Sequence, residues 1–190
     1  MGIRFATIGD ADAIRRIYAH YILRTAYTFE YQVPSPADFR ARFARVTAQF
    51  PWLVWEEDGE ILGYAYADAA FERRAFGYLA DLSVYLHPDA CGRGAGKRLY
   101  GLLEQILERQ GYCRVYGLVT EENRGSCDFH EALGYREIAR FHNAGKKFGR
   151  WYGVVWFEKV LWRGEPPLHF PRPWHEIDCS DLLNEMEDNE

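Results

Sequence analysis

An α/β domain with a mixed, largely antiparallel twisted sheet flanked by helices is the fold class that the order of apolar patterns predicts for this chain. Three observations carry that prediction. Short β-prone runs outnumber helical ones and are interleaved with them. Two such runs, Trp52 to Glu56 and Ile61 to Ala67, are separated by Glu57-Asp58-Gly59-Glu60, where Asp-Gly signals a tight turn between antiparallel strands. A third run, Leu82 to Leu86, passes through a glycine-rich turn into an amphipathic helix. The 190 residues suit one domain, and 48% hydrophobic residues with 16% aromatics describe a chain that buries a core. We assign the domain to residues 1–162 and expect a Pro-containing, then acidic, tail over 163–190 that is extended on the surface or partly disordered.

The elements follow in order. Ile3 to Ile8 reads as a short strand, and Asp10 offers an N-cap for a helix whose Ile14, Ile17, Tyr18, Tyr21 and Ile22 recur at helical spacing. His20 lies beside that stripe and reads as structural. Thr25 to Tyr31 is aromatic and β-prone, an edge segment or a loop near a substrate pocket. Ser35-Pro36 announces a second helix, serine as cap and proline in the first turn, with Phe39, Phe43 and Val46 on one side. Behind the hairpin, Phe71 to Ala75 is a charged interruption before a strand from Phe76 to Leu86. Leu99, Leu102, Leu103, Ile106 and Leu107 form one face of the next helix, which ends near Gly111. Arg114 to Thr120 is a strand, Asn123 to Leu133 a short helix closed by Gly134-Tyr135, Arg136 to Phe141 a strand and Trp151 to Leu161 the last one.

Between Leu86 and that third helix stands Gly92-Arg93-Gly94-Ala95-Gly96-Lys97. A helix start offers unpaired N–H donors and the positive end of the helix dipole, and glycines let backbone approach an anion closely. Arg93 and Lys97 add positive charge, so the ligand read from this stretch is a phosphorylated cofactor. The glycine spacing is too tight for a dinucleotide fingerprint, and no Gly-Lys-Ser or Gly-Lys-Thr follows to hold a nucleotide with magnesium.

Composition narrows the function classes. A net charge of −5 without a basic stripe argues against nucleic acid. No apolar run approaches the roughly 20 residues that span a bilayer, and Met1-Gly2-Ile3-Arg4 does not begin a signal peptide, so a cytoplasmic protein is expected. Cys91, Cys113, Cys127 and Cys179 form no CxxC pair and have no His partners at metal-binding spacing; no metal is expected. A helix start and Arg93 would favour the Cys91 thiolate.

The glycine stretch resembles the phosphate-cradling motif A of the GNAT superfamily of N-acetyltransferases, with Gly94 and Gly96 in place and Cys91 where Gln or Arg is usual. Over residues 3 to 160 the chain is similar to the phosphinothricin and methionine sulfoximine acetyltransferases of that superfamily. The matching pieces are Ile17 to Ile22, Tyr64 to Ala67, Ser83 to Leu86, His130-Glu131-Ala132-Leu133-Gly134-Tyr135 and Gly145 to Trp151. The resemblance implies a single GNAT-like domain, acetyl-CoA as cosubstrate without a metal, transfer to the α-amino group of a small amino acid or analogue, and a homodimer. A non-catalytic acyl-CoA-sensing domain with the same cradle is the rival reading.

An amine of pKa roughly 8 to 10 must lose a proton before it attacks a thioester. Asp81 stands where the family's proposed basic glutamate stands, one methylene shorter, and is expected to act through water; alternatively it caps a turn or pairs with Arg73 or Arg74. Backbone N–H groups of Val84, Tyr85 and Leu86 are expected to stabilise the oxyanion if the strand bulges there, and to hold the pantetheine arm. His130 stands where the subfamily carries histidine, and is the expected proton donor to the CoA thiolate, or else a core residue. Asn123 and Ser126 match positions that contact the CoA arm; Asn123 would also make a helix cap. Arg73 and Arg74 with Phe29, Phe71, Phe76 and Tyr78 are the expected substrate contacts, guanidinium meeting carboxylate or phosphinate, or alternatively a solvated charged loop. Lys146 to Trp151 reads as a loop that closes the same pocket or makes a subunit contact.

Overall fold

Alternating side chains on neighbouring strands divide the aromatic residues between two faces of one sheet. The computed structural model describes residues 2–162, 164–165 and 167–187. Among these, β1 (Gly2–Phe5), β2 (Trp52–Glu57), β3 (Glu60–Ala69), β4 (Leu79–Leu86), β5 (Arg114–Thr120), β6 (Arg136–Lys147) and β7 (Arg150–Val160) lie in the order β1-β2-β3-β4-β5-β7-β6. All neighbours are antiparallel except β4 and β5, which run parallel. The helices are α1 (Ala11–Arg24), α2 (Pro36–Thr47), α3 (Ala95–Gln110), α4 (Arg124–Ala132) and α5 (Ser180–Glu187). This is the mixed, largely antiparallel α/β architecture that the sequence predicts.

One face stacks Trp52, Tyr64 and Tyr85 against Phe39 and Phe43 of α2 and Tyr18 of α1. The other face is covered by α3, whose Leu99, Leu102, Leu103, Ile106 and Leu107 are all buried. Each such side chain contributes about 1.5–3 kcal/mol on removal from water. Asp58 and Gly59 both take positive φ, as the expected hairpin requires. Ser35 Oγ accepts from the Asp38 N–H at 3.1 Å, the expected cap.

Several elements differ from expectation. β1 stops at Phe5, and a 3₁₀ turn over Ile8–Asp10 runs directly into α1. Asp10 therefore already has helical backbone angles and cannot cap α1; its carboxylate instead takes Arg4 at 2.8 Å and the Thr7 N–H at 2.7 Å. Chiefly through the Arg4 contact, its pKa falls to about 2. β4 begins at Leu79 rather than Phe76, because Arg74–Phe76 closes a 3₁₀ turn through the Gly77 N–H and Arg74 carbonyl. β6 continues to Lys147 and pairs with β7 around a Phe148-Gly149 turn, so Lys146 to Trp151 is a hairpin tip. A bulge between Phe141 and Gly145, with Asn143 at positive φ, leaves the weakly β-prone His142-Asn143-Ala144 outside the paired register while the strand continues past them.

The tail expected to be extended or disordered instead packs back over its described part. Trp174 stacks on Phe5 at 4.4 Å and donates its Nε1–H to the Thr47 carbonyl at 2.9 Å. Cys179 and Leu182 are buried, and Arg109 pairs with Asp181. Arg163, Pro166 and the last three residues of the acidic end lie outside the described residues.

Candidate active site

β4 and β5 share only the register pairs Leu79–Arg114, Ala80–Val115 and Asp81–Tyr116, and then part. Two tyrosines fill the gap. Tyr100 Oη, from α3, donates to the Leu82 carbonyl at 2.9 Å, taking the acceptor that a continued ladder would have used. Tyr21 Oη, from α1, donates to the Leu86 carbonyl at 2.6 Å and accepts from the Leu86 N–H at 3.3 Å. Backbone groups two residues apart on a strand point the same way. The Val84 N–H and C=O therefore face the gap between the two capped peptides. The expected bulge is absent: the β3–β4 register runs without a shift from Ala69–Ala80 to Gly63–Leu86. The parting of the strands, not a bulge, turns this backbone outward.

Past Leu86 the glycine stretch lines a cavity of about 580 Å³ with Val84, Leu86, Gly92, Gly94, Gly96, Lys97, Asn123, Ser126 and Phe129. Gly94 is the N-cap of α3 at φ 81°, a conformation that a side chain would strain. Ala95 buries its side chain in the core. Lys97 has no hydrogen-bond or ion-pair partner among the described residues. Arg93 does not add charge here: its guanidinium pairs with Glu57 at 2.6 Å and lies over Trp55 at 4.9 Å. Cys91 lines the cavity but is not activated. Burial pushes its thiol above the ordinary value and Asp89 adds to the rise, with Arg93 turned away.

Deeper in, a recess of about 70 Å³ is lined by Ser83, Val84, Tyr85, Tyr100, Thr120 and His130. His130 is only 3% exposed, stacked on Phe157 and seated on bare Gly117, where a Cβ would stand 2.4 Å from Nε2. Its Nδ1 is 2.7 Å from the Ser126 carbonyl and must carry the hydrogen; its Nε2 is 3.2 Å from Tyr100 Oη. Burial holds its pKa below the usual 6.5. Histidine is thus both a core residue and a recess residue, reached through Tyr100. Asn123 caps α4, its Oδ1 accepting from the Ser126 N–H at 3.3 Å.

Asp81 lies on the sheet face that carries Ser83 and Tyr85, directly across from Asp68 and beside Tyr116. It pairs with neither Arg73 nor Arg74, and its buried Oδ1 has no partner among the described residues. Burial, then the Asp68 carboxylate, raises its pKa from 3.8 to about 7. Phe71, Arg73, Arg74 and Phe76 line a separate cavity of about 280 Å³ at the start of β4. Phe71 joins this cavity to the Asp81 face through ring contact with Tyr116 at 6.1 Å. Tyr78 stacks behind it on Phe170, while Phe29 lies elsewhere, against Gly145. Thr25 to Tyr31 is a loop, tied to the β6–β7 hairpin by Lys147 Nζ on the Thr28 carbonyl at 2.7 Å and by Tyr31 Oη on the Lys146 carbonyl.

Sequence reasoning missed Tyr21, Tyr100, Gly117 and Asp68. The signal for the tyrosines was their place in apolar helical stripes, because a buried Tyr hydroxyl needs a partner.

The profile of the acetyltransferase (GNAT) domain matches residues 3–156. The chain belongs to this family. Among GNAT relatives, the phosphinothricin N-acetyltransferase of Alcaligenes faecalis is 35% identical over 168 residues, 87% of this chain and 85% of that protein. The L-methionine sulfoximine/L-methionine sulfone acetyltransferase of Salmonella typhimurium is 33% identical, over 85% of this chain and 95% of the relative. The crystal structure of a GNAT superfamily phosphinothricin acetyltransferase from Sinorhizobium meliloti, in complex with acetyl-CoA, superposes with a TM-score of 0.84 at 31% identity, covering 88% of this chain and 94% of that one. The GNAT cradle in this chain fits such a ligand by its own chemistry: an outward-facing Val84 peptide for an amide-bearing arm, and glycine backbone with Lys97 for phosphate.

Proposed function

We propose that this GNAT protein transfers acetyl from acetyl-CoA to the α-amino group of a small anionic amino acid or analogue, of the phosphinothricin or methionine sulfoximine class, by direct transfer. The observation that carries the reading is the Val84 peptide turned into the gap between β4 and β5, bracketed by Tyr21 and Tyr100 above the glycine cradle. Acetyl-CoA supplies the activated acyl group. Gly92, Gly94, Ala95 and Gly96 with Lys97 hold its phosphates, Asn123 and Ser126 flank its arm, and the Val84 N–H donates to the acyl carbonyl.

Asp81, with a pKa near that of neutral solution, takes the amine proton through water. Tyr100 gives its hydroxyl hydrogen to the departing thiolate and regains one from solvent, while the neutral His130, its Nε2 3.2 Å from Tyr100 Oη, orients that hydroxyl. Arg73 meets the anionic end of the acceptor.

The test is thiol release from acetyl-CoA against phosphinothricin, methionine sulfoximine, methionine sulfone and ordinary amino acids. Release with one of the analogues, reduced about 10²–10⁴-fold in Asp81→Asn, is expected. Release only with a lysine peptide or a polyamine would overturn the α-amino assignment, and acetyl-CoA binding without any turnover would favour a sensing domain.

A further inference from the structure

The residues after β7 return across one end of the sheet and close a side of the Arg73 cavity. They are fixed immediately after Phe170. Gln49 Nε2 donates to the Pro171 carbonyl at 3.2 Å, and Gln110 Nε2 to the Arg172 carbonyl at 2.7 Å. The Arg172 N–H returns a bond to the Gln110 carbonyl at 3.0 Å. Farther along, Trp174 is locked onto Phe5 and Thr47.

Phe170 is thereby pressed onto the bare backbone of Gly77, where a Cβ would stand 3.0 Å from its ring. It stacks on Tyr78 at 4.9 Å and carries the Arg74 guanidinium 4.9 Å from its centroid. The cavity is bordered by Phe71 and Phe76 from the β3–β4 connection and by Phe170 with Pro171 from the returning tail. Of its two arginines, Arg74 is occupied by the Phe170 ring, and Arg73 has no partner among the described residues. Phe71 leads from here to Tyr116, beside Asp81.

We infer that Phe170 is a specificity-determining wall of the acceptor site: it withholds Arg74 by a cation–π contact, leaves Arg73 as the one anion anchor, and limits the cavity to a short side chain ending in a single negative group. The inference rests on the acceptor reading given above. It also assigns a role in the reaction to a segment that lies beyond the family match at residue 156. Removing the ring merges the cavity with solvent and takes away the wall a short side chain packs on, so short acceptors lose fit while bulkier ones gain entry, and the freed Arg74 favours acceptors with a second anionic group.

The experiment compares kcat/KM for phosphinothricin and for phenylalanine in the wild type, Phe170→Ala and Phe170→Leu, with KM for acetyl-CoA and the unfolding midpoint measured alongside. The preference for phosphinothricin is expected to fall about tenfold or more in Phe170→Ala, through KM for the acceptor, with KM for acetyl-CoA unchanged. Phe170→Leu, which keeps bulk without the ring, is expected to release Arg74 but retain part of the size limit. An unchanged acceptor preference in folded variants overturns the proposal. Calorimetric binding of phosphinothricin that weakens in Phe170→Ala, without thiol release in any variant, overturns the transferase reading and keeps the wall. Absence of both binding and turnover in the wild type overturns the wall as well.

Discussion

Replacing Asp81 by Asn should make the protein more stable and less active, and the size of the gain depends on pH. A carboxyl whose pKa rises from 3.8 to about 7 on folding holds its proton more tightly in the native state. Its contribution is therefore fully present below about pH 4 and is lost as pH climbs through about 7. Three pH units at about 1.4 kcal/mol each set a ceiling of roughly 4 kcal/mol on that loss. The carboxamide stays neutral throughout and inherits the same unpartnered position, so the variant escapes the loss without creating a new orphan. In thermal unfolding, the wild type and Asp81→Asn should differ by only about 1 kcal/mol at pH 4.5. At pH 8 the variant should unfold higher, by about 3 °C for each kcal/mol recovered. Thiol release should meanwhile drop by two or more orders of magnitude, and the wild-type rate should rise with pH through an apparent pKa near 7. A variant no more stable at pH 8 than at pH 4.5, relative to wild type, would refute the claim that burial and Asp68 strain this carboxylate.

Three other outcomes follow from the same geometry. Asp68→Asn removes the carboxylate opposite Asp81 and should move the acidic limb of the rate profile to lower pH, which a pH–kcat/KM series would reveal. Tyr100→Phe strands the Leu82 carbonyl, at a stability cost of about 1–3 kcal/mol readable in urea unfolding. Trp174→Ala deletes a half-buried ring on Phe5 and one hydrogen bond, and should destabilise by about 2 kcal/mol, lowering the unfolding midpoint by several degrees; an unchanged midpoint would mean the tail packs without contributing to the fold.

Local chemistry explains what was legible in the sequence. Ser35-Pro36, Asp58-Gly59, Gly111 and the Leu99 to Leu107 stripe act through neighbours within a few positions, and each produced the element expected of it. The strand-turn-helix around Gly94 was legible for the same reason. Arg93 was not, because its partner Glu57 lies 36 positions away and nothing near Arg93 competes with phosphate in the sequence. Nor was the parting of β4 from β5, which depends on hydroxyls of Tyr21 and Tyr100 reaching across from two helices. The six expected substrate residues divided because Phe71 to Tyr78 is one connected turn, whereas Phe29 is drawn away by Gly145 and Lys147. Prolines at 167, 171 and 173 masked the tail, whose anchoring residues Phe170, Trp174 and Leu182 have no periodic spacing to announce them.

The short pairing between β4 and β5 has a mechanical consequence. It divides the sheet into a block of four strands and a block of three, stitched over three residue pairs and otherwise joined through helices. A gap of this kind is an internal sheet edge, shielded from other chains yet still in need of hydrogen bonds. A ligand arm with amide groups that lies along Val84 takes the part of a missing strand, as an added peptide does at an outer edge. Occupancy should then bind the two blocks together, slowing amide exchange on β5 and β7 as well as on β4, and raising stability by about 2.7 kcal/mol at a hundredfold excess over Kd. The seam proposed to admit the cosubstrate should then be the place where the unliganded sheet opens most easily.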